Sequence, residues 1–211
     1  MHCALGLPTP YFLKYKILMM RIALFGTSAD PPTAGHQMIM GWLSQNFERV
    51  AVWAANNPFK VQFTPLEHRA AMLKLLIDDI DAIKRNITLE QELSSFRTIE
   101  TLEKAKNNWG ENTDFFVVVG SDLLAQLPQW YRIEDLLQQA QLLVVPRPGY
   151  VINESKVDKI KQLGGKIAIA NLTGLDVSST EYRENGDYEA LTPPVVDYIH
   201  QKKLYSNTQI G

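Results

Sequence analysis

Phe25-Gly26-Thr27-Ser28-Ala29-Asp30-Pro31-Pro32-Thr33-Ala34-Gly35-His36 is the stretch on which the reading of this chain turns. It follows a run of apolar, β-prone residues from Arg21 to Phe25 and leads into a segment of helical period from Gly35 to Phe47, so it reads as a strand-to-helix loop. In open parallel sheets ligands bind at the carboxyl ends of the strands, where such a loop lies. Gly26 lets backbone amides approach a phosphate closely, and a helix beginning near Gly35 directs its partial positive charge to the same place. His36, in the first turn, can project its imidazole toward bound phosphates as a donor, and Thr33 can add a hydroxyl from the same side. A lone histidine near a strand end reads as a cap or a core residue. Here it comes with a glycine-containing loop and two prolines, and the group reads as a phosphate site.

Outward from this loop, short apolar runs alternate with helical segments. Val50 to Ala54, Asp114 to Val119, Gln141 to Val145 and Lys166 to Ile169 read as further strands, apolar nearly throughout and therefore buried on both faces. Pro65 to Ile77, Thr98 to Asn108, Ile133 to Ala140, Ser179 to Asn185 and Pro194 to Gln201 read as helices. The second of the chain's helices has a marked start, with Thr64 as N-cap, Pro65 at the first helical position and Glu67 three after the cap. Pro146 to Gly165 is the most loop-like interior stretch. The alternation predicts an α/β fold, a Rossmann-like three-layer α/β/α arrangement with a central parallel sheet.

At 211 residues, 45% hydrophobic and 21% charged, the composition fits one soluble globular domain, read as residues 20–205 with a short tail at 206–211. Residues 1–19 lack the charge order of a signal peptide, because Lys14 and Lys16 follow the apolar stretch, and they read as a disordered extension or a misassigned start. A net charge of -2 argues against a nucleic-acid partner, which would need many phosphate contacts. Cys3 is the only cysteine, so no intrachain disulfide forms and a cytoplasmic setting fits. No stretch approaches the roughly 18 to 20 apolar residues of a membrane span.

A second phosphate-type segment lies near the end of the chain: Asp176-Val177-Ser178-Ser179-Thr180-Glu181-Tyr182-Arg183. Ser178 and Glu181 have capping-box spacing, which a purely structural helix start would explain. Three consecutive hydroxyl residues followed by an arginine about one turn later go further, since that grouping suits phosphate oxygens. Between the two segments, Asp122 follows the Asp114 to Val119 strand in Val119-Gly120-Ser121-Asp122, well placed to accept from ribose hydroxyls.

These motifs carry a resemblance. Thr33-Ala34-Gly35-His36 resembles the [His/Thr]-x-Gly-His motif of the nucleotidyltransferase superfamily, and Gly26 to Pro32 resembles the Gly-Gly-[Ser/Thr]-Phe-Asp-Pro-Pro loop of nicotinate mononucleotide adenylyltransferases, with Thr27 for a glycine and Ala29 for a phenylalanine. Val177 to Arg183 resembles the family's Ile-Ser-Ser-Thr-x-[Ile]-Arg, and Gly120 to Tyr150 its Gly-x-Asp, Trp and Arg-Pro-Gly pattern, through Asp122, Trp130 and Arg147-Pro148-Gly149. Asn57-Pro58-Phe59-Lys60 resembles a shortened Asn-Pro-Pro-His-Lys, and Phe96 to Leu102 resembles Ser-Tyr-Thr-Ile-Asp-Thr-Leu with Arg97 in place of tyrosine.

The resemblance implies transfer of AMP from ATP to nicotinate or nicotinamide mononucleotide, with pyrophosphate released and the NAD-pathway dinucleotide formed. It implies that His36, Thr33 and Arg183 serve the chemistry, His36 by stabilising phosphate charge without becoming a covalent nucleophile. ATP would be held by Gly26, Thr27, Ser28, Gly35, His36, Gly120, Asp122, Ser178, Ser179, Thr180 and Arg183. Asn57, Lys60, Arg97, Thr98, Trp130 and Arg147 would hold the mononucleotide, Trp130 by stacking on the pyridine ring. Mg²⁺ is expected on the triphosphate, without a protein carboxylate cage. The carboxyl-terminal helix, with Leu204-Tyr205 after it, would be scaffold. A pantetheine-phosphate adenylyltransferase, a cytidylyltransferase or a nucleotide-binding sensor without catalysis are the alternatives, and a homo-oligomer is open.

Overall fold

The computed structural model describes residues 19–56, 63–172, 175 and 177–205. The expectations for residues 1–18, Asn57, Lys60, Asp176 and 206–211 therefore lie outside the described residues. Six parallel strands form one sheet: β1 (Arg21–Thr27), β2 (Arg49–Ala54), β3 (Ile87–Leu89), β4 (Asp114–Gly120), β5 (Gln141–Val145) and β6 (Ile167–Ile169). Seven helices connect and follow them: α1 (Ala34–Asn46), α2 (Leu66–Asp78), α3 (Thr98–Trp109), α4 (Ile133–Gln139), α5 (Glu154–Gln162), α6 (Ser179–Asn185) and α7 (Pro193–Lys202).

The strand order is β3-β2-β1-β4-β5-β6, so the direction of winding reverses between β1 and β4. At such a switch point the loops leaving two neighbouring strands splay to opposite faces and open a crevice. The period of two along each strand divides the core. On β1, Ala23 and Phe25 face a cluster built with Met40 and Leu43 of α1, Leu73 and Leu76 of α2, and Val195 and Ile199 of α7. Ile22 and Leu24 face the other cluster, built with Ile99 and Leu102 of α3, Leu136 of α4 and Ile160 of α5. That division is the three-layer arrangement predicted above.

Several local expectations need correction. α2 begins at Leu66 with Pro65 as its N-cap residue, not at Pro65 with Thr64 as the cap. Thr64 is buried, and its carbonyl accepts from Nε of Arg69 at 3.0 Å. β3 was not expected: its three residues, Ile87-Thr88-Leu89, are half-buried at a sheet edge and too few to make an apolar run. The loop-like stretch after Pro146 contains α5, which buries only Ile160 and so shows no apolar stripe; the Asn153 side chain caps it by accepting from the Lys156 amide at 3.1 Å. β6, expected to be buried on both faces, is a half-exposed edge strand with Ile169 at the surface.

Candidate active site

The loops after β1 and β4 open into a cavity of about 1170 Å³. Every site residue expected from sequence among those described lines it: Gly26, Thr27, Ser28, Thr33, Gly35, His36, Arg97, Thr98, Gly120, Asp122, Trp130, Arg147, Ser178, Ser179, Thr180 and Arg183.

The first loop ends at a reciprocal helix cap. Thr33 is the N-cap residue of α1 and His36 stands three positions on, where a capping box ordinarily has Glu or Gln. The Thr33 amide donates to Nδ1 of His36 at 3.1 Å, and the Thr33 hydroxyl lies 2.8 Å from the same nitrogen. An Nδ1 that accepts from an N–H holds no proton, so the neutral ring carries its proton on Nε2. Thr33 is 1% exposed at the cavity, and its hydroxyl lies against the imidazole it helps to orient.

Gly26 also has a packing role. It lies opposite Trp53 in the β1–β2 register, and a Cβ built on it would sit 2.6 Å from the indole ring. The glycine makes room for Trp53, which lines the same cavity at 7% exposure.

The two distant phosphate-type segments meet. The Ser179 hydroxyl donates to the Pro31 carbonyl at 2.7 Å, and Nη1 of Arg183 donates to the Asp30 carbonyl. Nη2 of Arg183 donates to Oγ1 of Thr180 at 3.2 Å, and its guanidinium lies 4.6 Å from the centre of the Phe63 ring. Ser178 caps α6 as expected, its hydroxyl accepting from the Glu181 amide at 3.1 Å. A guanidinium has more N–H donors than these contacts use, so Arg183 can rest on the first loop and still meet an anion.

Beyond β4 the Asp122 carboxylate folds back over Gly120, where a Cβ would come within 2.3 Å of Oδ1. Its Oδ2 accepts from Nη1 of Arg147 at 2.9 Å. Ser121, which sequence reasoning missed, joins the two loops: buried at 1% exposure, it donates to the Tyr150 carbonyl at 3.0 Å and accepts from the Arg147 amide at 3.0 Å. On the far wall, Arg97 precedes α3 and lies 3.8 Å above the centre of the Tyr131 ring, with Glu100 3.8 Å away. Trp130 is half-buried, packing one side on the second core cluster. It also lines the cavity.

Arg69 and Asp30 were also missed as a pair. Arg69 is 1% exposed on the inner face of α2; its Nη1 donates to the carbonyls of Ser28 at 2.7 Å and Ala55 at 2.8 Å. Burial lowers its pKa, while Asp30 and Tyr205 act in the opposite direction. The available signal was an arginine among Met72, Leu73 and Leu76 at helical spacing, since a charge on an apolar stripe needs a purpose.

The cytidylyltransferase-like family profile matches residues 24–185. A protein of Synechocystis named probable nicotinate-nucleotide adenylyltransferase is 44% identical over 199 residues, spanning 88% of this chain and 99% of its own. The nicotinate-nucleotide adenylyltransferase of Bacillus subtilis is 28% identical over 201 residues, spanning 90% of this chain and all of its own, 100%. Among solved structures, the Plasmodium falciparum nicotinic acid mononucleotide adenylyltransferase complexed with NaAD superposes with a TM-score of 0.77 at 25% identity, covering 89% of this chain and 98% of that one.

Proposed function

The chain belongs to the cytidylyltransferase-like family, and within it to the nicotinate-nucleotide adenylyltransferases; from that premise we propose which of its residues hold each substrate and how they act. The protein is a nucleotidyltransferase of NAD biosynthesis, transferring AMP from ATP to nicotinate mononucleotide. One observation carries the assignment of roles: the hydroxyl-rich start of α6 is bonded directly to the loop that presents His36, so two segments far apart in sequence form one anion site.

In the proposed reaction an oxygen of the mononucleotide phosphate attacks the α-phosphorus of ATP. A new P–O bond forms as the bond from that phosphorus to the bridging oxygen breaks, and the electron pair leaves with pyrophosphate. No covalent enzyme intermediate is needed. His36, donating from Nε2, stabilises charge on the reacting phosphates, and Thr33 holds the ring for that task. Ser178, Ser179, Thr180 and Arg183 receive the β and γ phosphates, with the loop amides around Gly26, Thr27, Ser28 and Gly35 alongside. Asp122 accepts from ribose hydroxyls, with Gly120 leaving its carboxylate room.

Trp130 stacks on the pyridine ring, flanked by Arg97, Thr98 and Arg147, with Asn57 and Lys60 as further candidates. Arg97 supports a preference for nicotinate, because a cation on that wall pairs with the ring carboxylate. Mg²⁺ fits this site as an ion brought by the triphosphate. The two described carboxylates that line the cavity are already engaged, Asp30 by Tyr205 and Phe63 and Asp122 by Arg147, and no three described His, Cys, Asp or Glu side chains form a cage. When bound it shields triphosphate charge. No described helix is long and apolar enough to cross a membrane; the soluble substrates and the single Cys3 support a cytoplasmic setting, and the net charge of -2 supports small nucleotides over nucleic acid.

Calorimetric titration with a non-hydrolysable ATP analogue tests these roles. Arg183→Ala should weaken binding about tenfold or more, since a hydrogen bond to a charged group contributes about 1.5–3 kcal/mol, while Trp130→Ala should leave it unchanged. Equal effects from the two variants would overturn the division of the cavity.

A further inference from the structure

Asp30 is 3% exposed, and both oxygens of its carboxylate are met from distant parts of the chain. Oδ2 accepts from the Phe63 amide at 2.7 Å, 33 residues away. Oδ1 accepts from the Tyr205 hydroxyl at 2.6 Å, 175 residues away. The carbonyl of the same Asp30 receives the Arg183 guanidinium. One residue of the first loop thus joins the segment before α2, the helix bearing Arg183 and the chain beyond α7.

Tyr205 reaches that position by design of the backbone. After α7 the chain turns through Lys203 at φ 51 and Tyr205 at φ 61, left-handed conformations that non-glycine residues adopt only when their surroundings hold them there. The Tyr205 ring packs edge-on against Tyr182 of α6 with centroids 5.7 Å apart. Burial, with the Asp30 carboxylate beside it, holds its phenol above the ordinary tyrosine pKa, so it remains a donor at neutral pH.

We propose that Tyr205 is a positioning residue for adenylyl transfer: through the buried Asp30 carboxylate it sets the β1–α1 loop, and with that loop the Asp30 carbonyl supporting Arg183 and the Thr33–His36 cap. This rests on the reading that His36 and Arg183 serve one triphosphate. It also revises the expectation that the chain after α7 is scaffold alone. Loss of the hydroxyl leaves a buried carboxylate oxygen without its donor, and the loop must shift to find another. A displacement on the order of 1 Å at a reacting centre can cost about a hundredfold in rate.

The test is steady-state kinetics of Tyr205→Phe with ATP, Mg²⁺ and nicotinate mononucleotide, at a temperature where circular dichroism shows both proteins folded. The phenylalanine keeps the ring on Tyr182 and removes only the hydroxyl. The expected result is a fall in kcat of about ten- to a hundredfold with the mononucleotide KM unchanged, because Arg97 and Trp130 stand on the other wall. Asp30→Asn is the second variant, expected to lower kcat similarly, with the double variant no worse than either single one. Wild-type kcat in Tyr205→Phe, or losses that multiply in the double variant, would overturn the inference. If Tyr205→Phe does not fold, unchanged kcat in Asp30→Asn overturns it and lowered kcat with unchanged mononucleotide KM supports it. Absence of transfer by the wild-type protein would overturn the functional reading and this inference together, whereas a fully active wild type with a fully active Tyr205→Phe sinks the inference alone.

Discussion

The main-chain amide of Thr33 donates to Nδ1 of His36 at 3.1 Å, and this contact fixes which imidazole nitrogen bears the proton. The same side chain that caps α1 on one edge can therefore offer an N–H donor from the other.

The two tasks can be separated. In His36→Gln the amide oxygen can take over the cap, since Gln at this position completes a capping box, but the imidazole donor is gone. Thermal unfolding should change little while kcat falls about a hundred- to a thousandfold, the loss seen when one preorganised donor to a developing charge is removed. His36→Ala should show the same kinetic loss plus a lower unfolding temperature, because the N3 half of the capping box is lost. A His36→Gln variant with near-normal kcat would limit His36 to capping.

Gly120 and Asp122 should behave as one unit. The Asp122 carboxylate occupies the space beside Gly120, with 2.3 Å from Oδ1 to a Cβ built there, so Gly120→Ala must displace it. Both Gly120→Ala and Asp122→Ala should raise the ATP KM, by about tenfold for the loss of roughly 1.4 kcal/mol of hydrogen bonding, and the double variant should be no worse than either. Kinetic losses that multiply would mean the glycine serves some other contact.

Acceptor choice should follow Arg97. Its side chain is 49% exposed and stacked on Tyr131, so its pairing with a substrate carboxylate is partly screened. Arg97→Tyr should lower the ratio of kcat/KM for nicotinate over nicotinamide mononucleotide by about tenfold or less. Competition kinetics with both acceptors would measure this, and an unchanged ratio would assign the preference elsewhere.

Alkaline titration reports on the aromatic cluster behind α6. Burial, with Tyr188 beside it, pushes the Tyr182 phenol up to about 12 from an ordinary 10.0. A raised phenol pKa favours the protonated, folded form, so its stabilising contribution is complete below pH 10 and is lost as the pH rises toward 12. Absorbance of tyrosinate should show Tyr182 ionising above the ordinary tyrosine range, with denaturant stability declining across the same window. In Tyr182→Phe that decline should be smaller; an equal decline would place the alkaline sensitivity elsewhere.

The parts of the fold legible in sequence were those with a strong period. β1, β2, β4 and β5 are buried on both sides, so each appears as an apolar run. β3 and α5 were obscured because edge elements bury little: Thr88 interrupts β3, and α5 contributes only Ile160 to the core. Boundaries moved where two residues could cap, as at Thr64 and Pro65.

Within the site, residue identity was legible and partnership was not. Motif chemistry brought His36, Asp122 and Arg183 forward, and all three line one cavity. It could not reveal that the Thr33 hydroxyl is turned onto His36, that Trp53 fills the space over Gly26, or that Ser121 ties together the loops after β4 and β5. Those contacts depend on tertiary approach between strands and loops. Tyr205 was hidden for the same reason, its partner Asp30 being 175 residues away.

The central claim is that the loop after β1 and the start of α6 act together on one triphosphate. Its most direct measurement is pyrophosphate release by the wild-type protein with ATP, Mg²⁺ and nicotinate mononucleotide, repeated with His36→Gln and with Arg183→Ala. The account predicts equal amounts of pyrophosphate and dinucleotide from the wild type, and turnover reduced at least tenfold in each variant. Tight ATP binding with no pyrophosphate released, or full turnover in both variants, would contradict it.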